Sequence, residues 1–400
     1  MRILQLGYYP IQPAVTGGQR RVAKLGSLLT SLDAEVLTAA IAPHRPDVSP
    51  ADIVLSKSLN DWVFRVPYDF EMRVRHAVES DEFLSRQVKT MLRRFRPDLV
   101  WLEHPFLWPL IKRLKGHPNV AYSAHNIEWA MKRDYLKQQK ICDPYCVNQI
   151  KLVEDDLASR AAFIVCCSEG DRANLKHLNP NILVVPNGAD RPQVADPAKA
   201  RGALAQYSKR LFEVPTFTYV SAAHAPNWFG LLDLVIEPLR NNPPRRDFVI
   251  LLVGGICSIY REWEATNGPV KDLEIVAVPE ATEDEKNLAL LECHAVLLPI
   301  TTGGGTNIKT AEALLSGKRI IGTAAAFRGF EAFMALPRVS LAGTGPEFSQ
   351  QMIRVAAPAA GGNPCAAGSG AGDVAELSWD AILRSAREPV AALLSDLGRK

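Results

Sequence analysis

The chain of 400 residues is long enough for two or three domains, and its 47% hydrophobic and 22% charged residues are typical of a globular protein. A formal net charge of +3 at pH 7 is too small to indicate a nucleic-acid-binding protein. The sequence opens directly on a predicted strand rather than a secretory signal, and no apolar run is long enough to span a membrane. Seven cysteines without a CxxC pair argue against zinc and fit a reducing compartment. We therefore expect a cytoplasmic protein.

The first part of the chain predicts a strand, a glycine-containing loop and a helix. Residues 2–7 form an apolar run, and the loop that follows ends in Gly17 and Gly18. Apolar residues then recur at helical spacing, and AEVLTAAI predicts a second strand, so the chain opens with a βαβ unit. The two glycines do not form the GxGxxG dinucleotide fingerprint. From these residues alone, the loop is either a ligand-binding loop or a flexible connection.

A histidine follows one of the next predicted strands directly. PDLVWLEH and NVAYSAHN predict strands on either side of a helix, and His125 lies at the carboxyl end of the second. In open α/β sheets, ligands bind at this edge, so His125 is a candidate site residue. The alternative is that its ring ties the loop to a backbone carbonyl. Glu128 is interpreted as the first residue of a helix, where the helix dipole favours a carboxylate.

Local signals predict several element boundaries. We expect a helix from Glu79 to Arg96, an N-cap at Ser168 and a helix C-terminus at Gly317. The dipeptide Asn187-Gly188 predicts a turn. The terminal helix is expected to be interrupted at Pro389, because proline cannot donate a helical hydrogen bond.

Residues 301–323, TTGGGTNIKTAEALLSGKRIIGT, carry the strongest chemical signal. They follow an apolar run and predict a glycine loop, a helix and a strand, which complete a βαβ unit. Unpaired backbone N–H groups and the helix dipole at such a helix start favour phosphate, and Lys309 adds a full positive charge in the first turn. Glu312 cannot hold phosphate, but its carboxylate can accept hydrogen bonds from a vicinal diol such as a ribose. The alternative is a tight turn beside a solvated lysine.

These residues resemble the signature of retaining family 4 glycosyltransferases (GT4, group 1), which have the GT-B fold. Many members read G-G-G-T-R-I-K-x-x-E-A here, and the stretches HNIE and VPNGAD are similar to family stretches at corresponding places. The resemblance implies an α/β fold with two Rossmann-like domains facing a cleft. We expect an acceptor-side domain over residues 1–195 and a nucleotide-sugar domain over residues 196–375. A helix over 376–400 is expected to cross back onto the first domain.

The resemblance also implies roles for individual residues. Glu312 would hold the ribose of the nucleotide, and His125 would contact the transferred sugar. The catalytic residues would be His125 and Lys309. The groups implied to approach or hold the donor diphosphate are Gly17, Gly18, Gly303, Gly304, Gly305, Thr306 and Lys309.

The activity implied is transfer of a sugar from a nucleotide-diphosphate sugar, with retention of configuration, in cell-surface polysaccharide or glycoconjugate synthesis. The acceptor would be a glycan, a lipid-linked molecule or a small molecule. No cofactor beyond the donor substrate is expected, and no metal, because no Asp-x-Asp motif is present. The basic stretches KTMLRRFR and IKRLKG leave open a peripheral contact with the inner face of an anionic membrane, against the simpler interpretation of solvated helix faces.

The sequence departs from the common family pattern at three places. Gly304 stands where many relatives have a first glutamate, and Asn307 stands where they have an arginine. The first loop of the second domain reads SAAHAPNW, with His224 and Asn227 in place of a basic pair. Each departure removes charge or hydrogen bonding from the donor site. Two alternatives therefore stay open: a catalytically weak scaffold or binding subunit, and a nucleotide-sugar epimerase of the same fold.

Overall fold

The computed structural model describes residues 1–14, 16–42, 52–63, 70–244, 247–302, 305–357 and 374–398. The chain divides into two compact units, one formed by Met1–Pro186 with Ile382–Lys400 and the other by Asn187–Ala381. The divisions therefore fall after residues 186 and 381, where the sequence predicted them after residues 195 and 375. The short helix Pro197–Ala205 in the predicted boundary region is part of the second unit.

The first unit is built on a parallel sheet in the order β3-β2-β1-β4-β5-β6-β7. Its central strands are completely buried, which explains why they read as continuous apolar runs instead of alternating polar and apolar residues. The carboxyl ends of the three central strands β1, β4 and β5 carry the polar residues discussed below. The strands are Arg2–Gly7 (β1), Glu35–Ala42 (β2), Ile53–Val54 (β3), Leu99–Leu102 (β4), Asn119–Ala124 (β5), Phe163–Cys166 (β6) and Ile182–Val184 (β7).

The helices of the first unit confirm most of the predicted pattern, with one correction. The single helix expected from Glu79 to Arg96 is wrong, because two helices meet there. The Asp81 side chain accepts a hydrogen bond from the Leu84 N–H at 2.8 Å and begins a new helix. The helices before the boundary at residue 186 are Gly17–Ser31 (α1), Lys57–Val63 (α2), Phe70–Ser80 (α3), Glu82–Phe95 (α4), Trp108–Lys112 (α5), Glu128–Gln138 (α6), Pro144–Arg160 (α7) and Glu169–Leu175 (α8).

The second unit contains a parallel sheet in the order β10-β9-β8-β11-β12-β13. Its strands are Thr216–Val220 (β8), Val249–Val253 (β9), Glu274–Val278 (β10), Ala295–Leu298 (β11), Arg319–Gly322 (β12) and Val339–Leu341 (β13). Its helices are Pro197–Ala205 (α9), Ala225–Leu231 (α10), Glu237–Asn241 (α11), Ile256–Asn267 (α12), Glu283–Glu292 (α13), Ile308–Leu315 (α14) and Gly345–Val355 (α15), and a π-helical turn, Leu232–Ile236, joins α10 to α11.

One glycine of the second unit shows how closely helix and sheet approach. A Cβ atom on Gly230 would lie 1.9 Å from the backbone oxygen of Pro299, the residue that follows β11 by one position. Only glycine therefore allows α10 to pack against the end of that strand. This packing brings the start of α10, including Asn227, to the strand ends that carry the candidate site.

The terminal helix α16 runs from Trp379 to Leu397 without interruption, so the predicted break at Pro389 is wrong. Proline in a helix interior costs about 3 kcal/mol relative to alanine. The buried apolar side chains of Ala386, Val390 and Leu394 offset that cost by packing against the first unit. Arg387 also donates a hydrogen bond from Nη1 to the Ser31 hydroxyl at 2.8 Å.

Two other local predictions are confirmed. Ser168 is the N-cap of α8, and its hydroxyl accepts a hydrogen bond from the Asp171 N–H. Gly317 lies two residues beyond α14 with a φ of +73°, a conformation that favours glycine and ends helices.

Candidate functional site

The loop after β1 places a glycine beside the candidate histidine. Thr16 and Gln19 form a capping box at the start of α1, and Gly17 is the first residue of that helix. A Cβ atom on Gly18 would lie 2.4 Å from the Tyr9 hydroxyl and 3.9 Å from His125 Nδ1. The first unit therefore brings Gly18 and His125 together, and the space between them depends on the absence of a side chain at residue 18.

His125 directly follows β5 and is 6% exposed. Its Nε2 atom lies 2.9 Å from the Glu103 Oε2 atom, and the Cys167 thiol donates to its backbone oxygen at 3.3 Å. The ring is thus held by a carboxylate, whereas the alternative interpretation expected a backbone carbonyl. Burial, and then the nearby Arg21 charge, hold the pKa of His125 well below its usual range.

A second histidine lies against the first. The ring of His104, which follows Glu103 at the end of β4, has its centroid 4.3 Å from that of His125. Burial and the positive charge that His125 would carry both lower the pKa of His104. The Tyr8 ring packs on His104 at 4.6 Å. These contacts favour neutral imidazoles, because two adjacent buried cations would repel each other.

Glu128 occupies the first position of α6, as predicted, but the helix dipole does not dominate its ionisation. Burial, followed by the negative charges of Glu154 and Glu71, raises its pKa well above the ordinary value. Glu154, from α7, accepts hydrogen bonds from the Glu128 N–H at 3.0 Å and the Trp129 N–H at 3.3 Å. That carboxylate satisfies the free N–H groups at the start of α6 and fixes the loop that carries His125.

In the second unit, the glycine loop is held from two sides. Gly303 and Gly304 lie outside the described residues, whereas Gly305 has a φ of +58° and its carbonyl accepts from Arg328 Nε at 2.8 Å. Thr306 is 7% exposed, and its backbone oxygen accepts from Asn187 Nδ2 at 3.0 Å. The Asn187 side chain therefore fixes the residue before the N-cap of α14, although the turn predicted at Asn187-Gly188 is absent: these residues form neither a turn nor a bend.

Lys309 lies in the first turn of α14 and is held by uncharged oxygen atoms. Its Nζ atom donates to Asn227 Oδ1 at 2.7 Å and to the Ser221 hydroxyl at 3.2 Å, and it lies 5.6 Å from the centre of the Tyr219 ring. Burial lowers the pKa of Lys309 to about 8. Neither hydrogen-bonding partner carries a charge, and the negative charge of Glu312 on the same helix offsets part of the effect of burial on the Lys309 pKa.

Glu312 is one turn further along α14 and is 9% exposed. Its Oε1 atom accepts a charge-assisted hydrogen bond from Lys286 Nζ at 3.1 Å, and Lys286 also contacts the Glu283 carboxylate at 2.6 Å. The ion pair fixes the position of a carboxylate that can accept hydrogen bonds from hydroxyl groups. Lys309 and Glu312 thus lie on one helix, as predicted, and Thr306 directly precedes its N-cap.

Sequence reasoning missed four of the residues that hold the site: Glu103, Asn187, Ser221 and Lys286. Glu103 at a strand end and Asn187 in a turn dipeptide were visible signals, but their partners lie 22 and 119 residues away. The loop residue Asn227 was read as a lost basic residue, whereas the structure shows it in contact with Lys309.

The described residues hold neither a metal-binding cluster nor a membrane-spanning helix. No group of three or more His, Cys, Asp or Glu side chains there has an arrangement that could bind a metal ion. None of the helices in those residues combines the length and the apolar character needed to cross a bilayer.

Known proteins resemble this chain at two levels. A family model described as Glycosyltransferase Family 4 matches residues 15–192, and no curated protein sequence matches the chain. Among solved structures, sucrose-phosphate synthase from Thermosynechococcus elongatus has a TM-score of 0.73 at 15% identity, covering 99% of this chain and 100% of that one. Anabaena HepE in complex with UDP-glucose has a TM-score of 0.58 at 12% identity, and the match covers 98% of this chain and 100% of that one. The α,α-trehalose 6-phosphate synthase of Burkholderia multivorans has a TM-score of 0.62 at 11% identity, and the match covers 100% of this chain and 97% of that one.

The structural similarities lie at low sequence identity and establish the fold, which is the GT-B fold. A family model of glycosyltransferases over residues 15–192 and the shared GT-B fold together support a transferase. Residues 15–192 are similar to glycosyltransferase family 4. The resemblance inferred from the sequence and the predicted pair of Rossmann-like domains are therefore confirmed.

Proposed function

We propose that the chain transfers a hexosyl or related sugar from a nucleoside-diphosphate sugar to a carbohydrate, lipid-linked or small-molecule acceptor, with retention of configuration. We further propose a role in cell-surface polysaccharide or glycoconjugate synthesis. The observation that carries the proposal is Lys309, a partly buried ammonium held by uncharged oxygens at the start of α14. UDP-glucose is the first donor to test, because Anabaena HepE, which shares the fold, has been solved with it.

The donor diphosphate would bind at the start of α14. The backbone N–H groups at the start of α14, where the N-cap Asn307 makes no side-chain capping hydrogen bond, and the helix dipole attract an anion, and Lys309 adds a full charge. In our proposal Gly303, Gly304 and Gly305 let the phosphates approach the backbone. Thr306 would complete the same loop.

Glu312 would accept hydrogen bonds from the ribose hydroxyls of the nucleotide. A carboxylate fixed by Lys286 at 3.1 Å loses little rotational freedom on binding, so its hydrogen bonds to a diol would cost less entropy. In this assignment the two charged residues of α14 have different roles: Lys309 would bind the phosphates, and Glu312 would bind the ribose of the nucleotide.

The proposed reaction breaks the bond between the anomeric carbon and the β-phosphate oxygen, and the electron pair leaves with the diphosphate. The acceptor hydroxyl oxygen bonds to the same face of that carbon, and its proton passes to the departing phosphate oxygen. Charge grows on the diphosphate during the step, so a fixed ammonium stabilises the transition state more than the ground state. We propose that Lys309 supplies this stabilisation, with no cofactor beyond the donor itself.

In the first unit, we propose that His125 contacts the transferred sugar and that Gly17 and Gly18 allow close approach of the donor. Support comes from the close approach at Gly18, where a Cβ atom would overlap the Tyr9 hydroxyl at 2.4 Å and lie 3.9 Å from His125 Nδ1. An acceptor site in the same unit would agree with the family match over residues 15–192.

We also propose that α4 contacts an anionic membrane surface on the cytoplasmic side. Lys89, Arg93 and Arg94 are exposed, and Phe83 near the helix start is 54% exposed. Exposed basic residues and an exposed aromatic side chain on one helix suit an anionic interface. Vesicles of phosphatidylglycerol should bind the protein and those of phosphatidylcholine should not. Equal binding to both, or binding unchanged by Arg93→Glu, would exclude this contact.

The proposed function is tested with a panel of nucleoside diphosphates and their sugars. A ligand that binds the folded state raises the melting temperature, so one nucleotide should give a clear shift. The corresponding sugar nucleotide should then be consumed in the presence of acceptor glycans. Binding without turnover would favour a scaffold subunit, and release of nucleotide with no acceptor product would favour an epimerase. No shift with any nucleotide would contradict the donor site itself.

A further inference from the structure

Glu103 is completely buried at the carboxyl end of β4, and it contacts the candidate histidine directly. Its Oε2 atom lies 2.9 Å from His125 Nε2, and its Oε1 atom accepts from Gln5 Nε2 at 2.5 Å. The carboxylate thus links the ends of three adjacent strands, β1, β4 and β5. It is absent from the residues that the family signature implies, and its place in the site comes from the structure alone.

The orientation of Gln5 is fixed by two other partners. Its Nε2 atom also donates to the Val22 carbonyl at 2.9 Å, and its Oε1 atom accepts from the Thr38 hydroxyl at 3.0 Å. A carbonyl can only accept, so the nitrogen of Gln5 must face both Val22 and Glu103. One oxygen of Glu103 is therefore committed to accepting from Gln5, and the other faces His125.

Charged and titratable groups surround this pair on every side. Burial raises the pKa of Glu103, while hydrogen bonding and then the His104 and Arg21 charges lower it. The hydroxyl of Tyr9, the thiol of Cys167 and the ring of His104 complete the surroundings. Burial and Arg21 oppose a positive charge on His125 and favour a neutral ring. Burial disfavours the ionised form of Glu103, but the hydrogen bond that Gln5 donates to Oε1 favours a carboxylate that accepts from His125 Nε2.

We propose that Glu103 is a positioning residue that holds His125 as the tautomer protonated at Nε2. The Nδ1 atom is then left as a hydrogen-bond acceptor on the side of the ring nearest to Gly18, where a Cβ atom on residue 18 would lie 3.9 Å from it. A ring in this state accepts from a hydroxyl group of the transferred sugar and cannot donate to it. The inference deepens the proposed role of His125 and rests on it, but the tautomer itself can be measured without any reaction.

The variant Glu103→Gln should reverse the tautomer. The Gln5 nitrogen must still donate to residue 103, so the new amide oxygen takes that place and the new amide nitrogen faces His125. Nε2 then becomes an acceptor and the proton moves to Nδ1, where it would oppose a sugar hydroxyl that needs to donate. We expect kcat to fall about 10- to 100-fold, the cost of one mismatched buried hydrogen bond, with little change in the KM for the donor.

The tautomer is read from two-bond nitrogen–proton spectra of the full chain labelled in histidine, with His125→Asn assigning one of the eight histidines. Asp171→Asn is the matched control, because it also neutralises a buried acidic residue of the same unit, but the Asp171 carboxylate accepts from the Ser168 hydroxyl and not from the His125 ring. It should leave the wild-type tautomer unchanged.

Several outcomes would overturn the inference. An Nδ1-protonated ring in the wild-type protein would do so without any variant, even if Glu103→Gln fails to fold. An unchanged tautomer in Glu103→Gln would show that the residue has only a structural role. A reversed tautomer in Glu103→Gln with an unchanged kcat would show that the tautomer of His125 does not affect sugar transfer. If the wild-type protein transfers no sugar, the proposed function fails, whereas the spectra still decide whether Glu103 fixes the ring.

Discussion

The two units hold their buried polar groups in opposite electrical states. In the first unit, a carboxylate and an imidazole face each other, and burial shifts the pKa of each towards its uncharged form. In the second, Lys309 is held by the neutral side chains of Asn227 and Ser221, and its charge is not cancelled. The first arrangement suits hydrogen bonding to sugar hydroxyls, and the second suits binding of an anion. The difference agrees with an assignment of the phosphates to the second unit.

The largest effect on this difference between the units is expected when the charge of Lys309 in the second unit is removed. Lys309→Met should lower transfer from UDP-glucose about 100-fold, because a hydrogen bond to a charged group is worth about 1.5–3 kcal/mol. The same variant should melt at a higher temperature than the wild type at pH 7. The folded-state pKa of about 8 lies below the ordinary value of 10.5, so the charged form is destabilised by folding at every pH below 8.

Lys271→Met, at an exposed lysine of the same unit, is the matched control. Both its transfer rate and its melting temperature should stay near those of the wild type. A Lys309→Met protein that keeps normal transfer would show that the phosphates bind elsewhere.

A second prediction tests whether Glu312 of α14 binds the ribose while Lys309 binds the phosphates. Glu312→Gln should weaken UDP binding about tenfold, and it should reduce the preference for UDP over 2′-deoxy-UDP, because the carboxylate would bind the ribose hydroxyls. Lys286→Met leaves the carboxylate in place but removes its partner, so UDP affinity should fall while the preference remains. Calorimetric titration of both nucleotides measures the ratio of the affinity for UDP to that for 2′-deoxy-UDP. An unchanged ratio in Glu312→Gln would contradict the ribose assignment.

The smallest effect is expected in the first unit. Gly18→Ala places a Cβ atom 2.4 Å from the Tyr9 hydroxyl and 3.9 Å from His125 Nδ1, so the tyrosine side chain must move. Overpacking of this kind costs about 1–3 kcal/mol, and transfer should fall several-fold while UDP affinity is unchanged. Tyr9→Phe in the same chain removes the clashing oxygen and should restore part of the activity. Failure of the double variant to improve on Gly18→Ala would show that the clash is not the cause.

Local sequence signals predicted the elements well, because each depended on residues near one another in the chain. Apolar runs gave the buried parallel strands, Ser168 gave a helix start, and Gly317 gave a helix end. The order βαβ then limited the topology to parallel sheets. The break at Pro389 was wrong because burial of Val390 and Leu394 outweighs the local preference of proline.

The contacts within the candidate site were not predictable in the same way. The sequence placed Lys309 and Glu312 on one helix, since their spacing is local. It gave no means of pairing Asn227 with Lys309 or Lys286 with Glu312, whose partners lie 82 and 26 residues apart. Such pairs depend on which strands are neighbours in the sheet. The sequence showed Asn227 only as the loss of a basic residue, whereas its contact with Lys309 forms only in the folded chain.

The central claim is that the ammonium of Lys309 binds the donor diphosphate, and UDP titrations at pH 9 in buffers of different ionisation enthalpy test it most directly. At that pH, a lysine with a pKa of about 8 is mostly neutral, and a bound diphosphate should raise the pKa again. Binding should therefore take up close to one proton, and affinity should fall as the pH rises above 8. In Lys309→Met both effects should disappear. UDP binding without proton uptake in the wild type, at an affinity unaffected by Lys309→Met, would contradict the account.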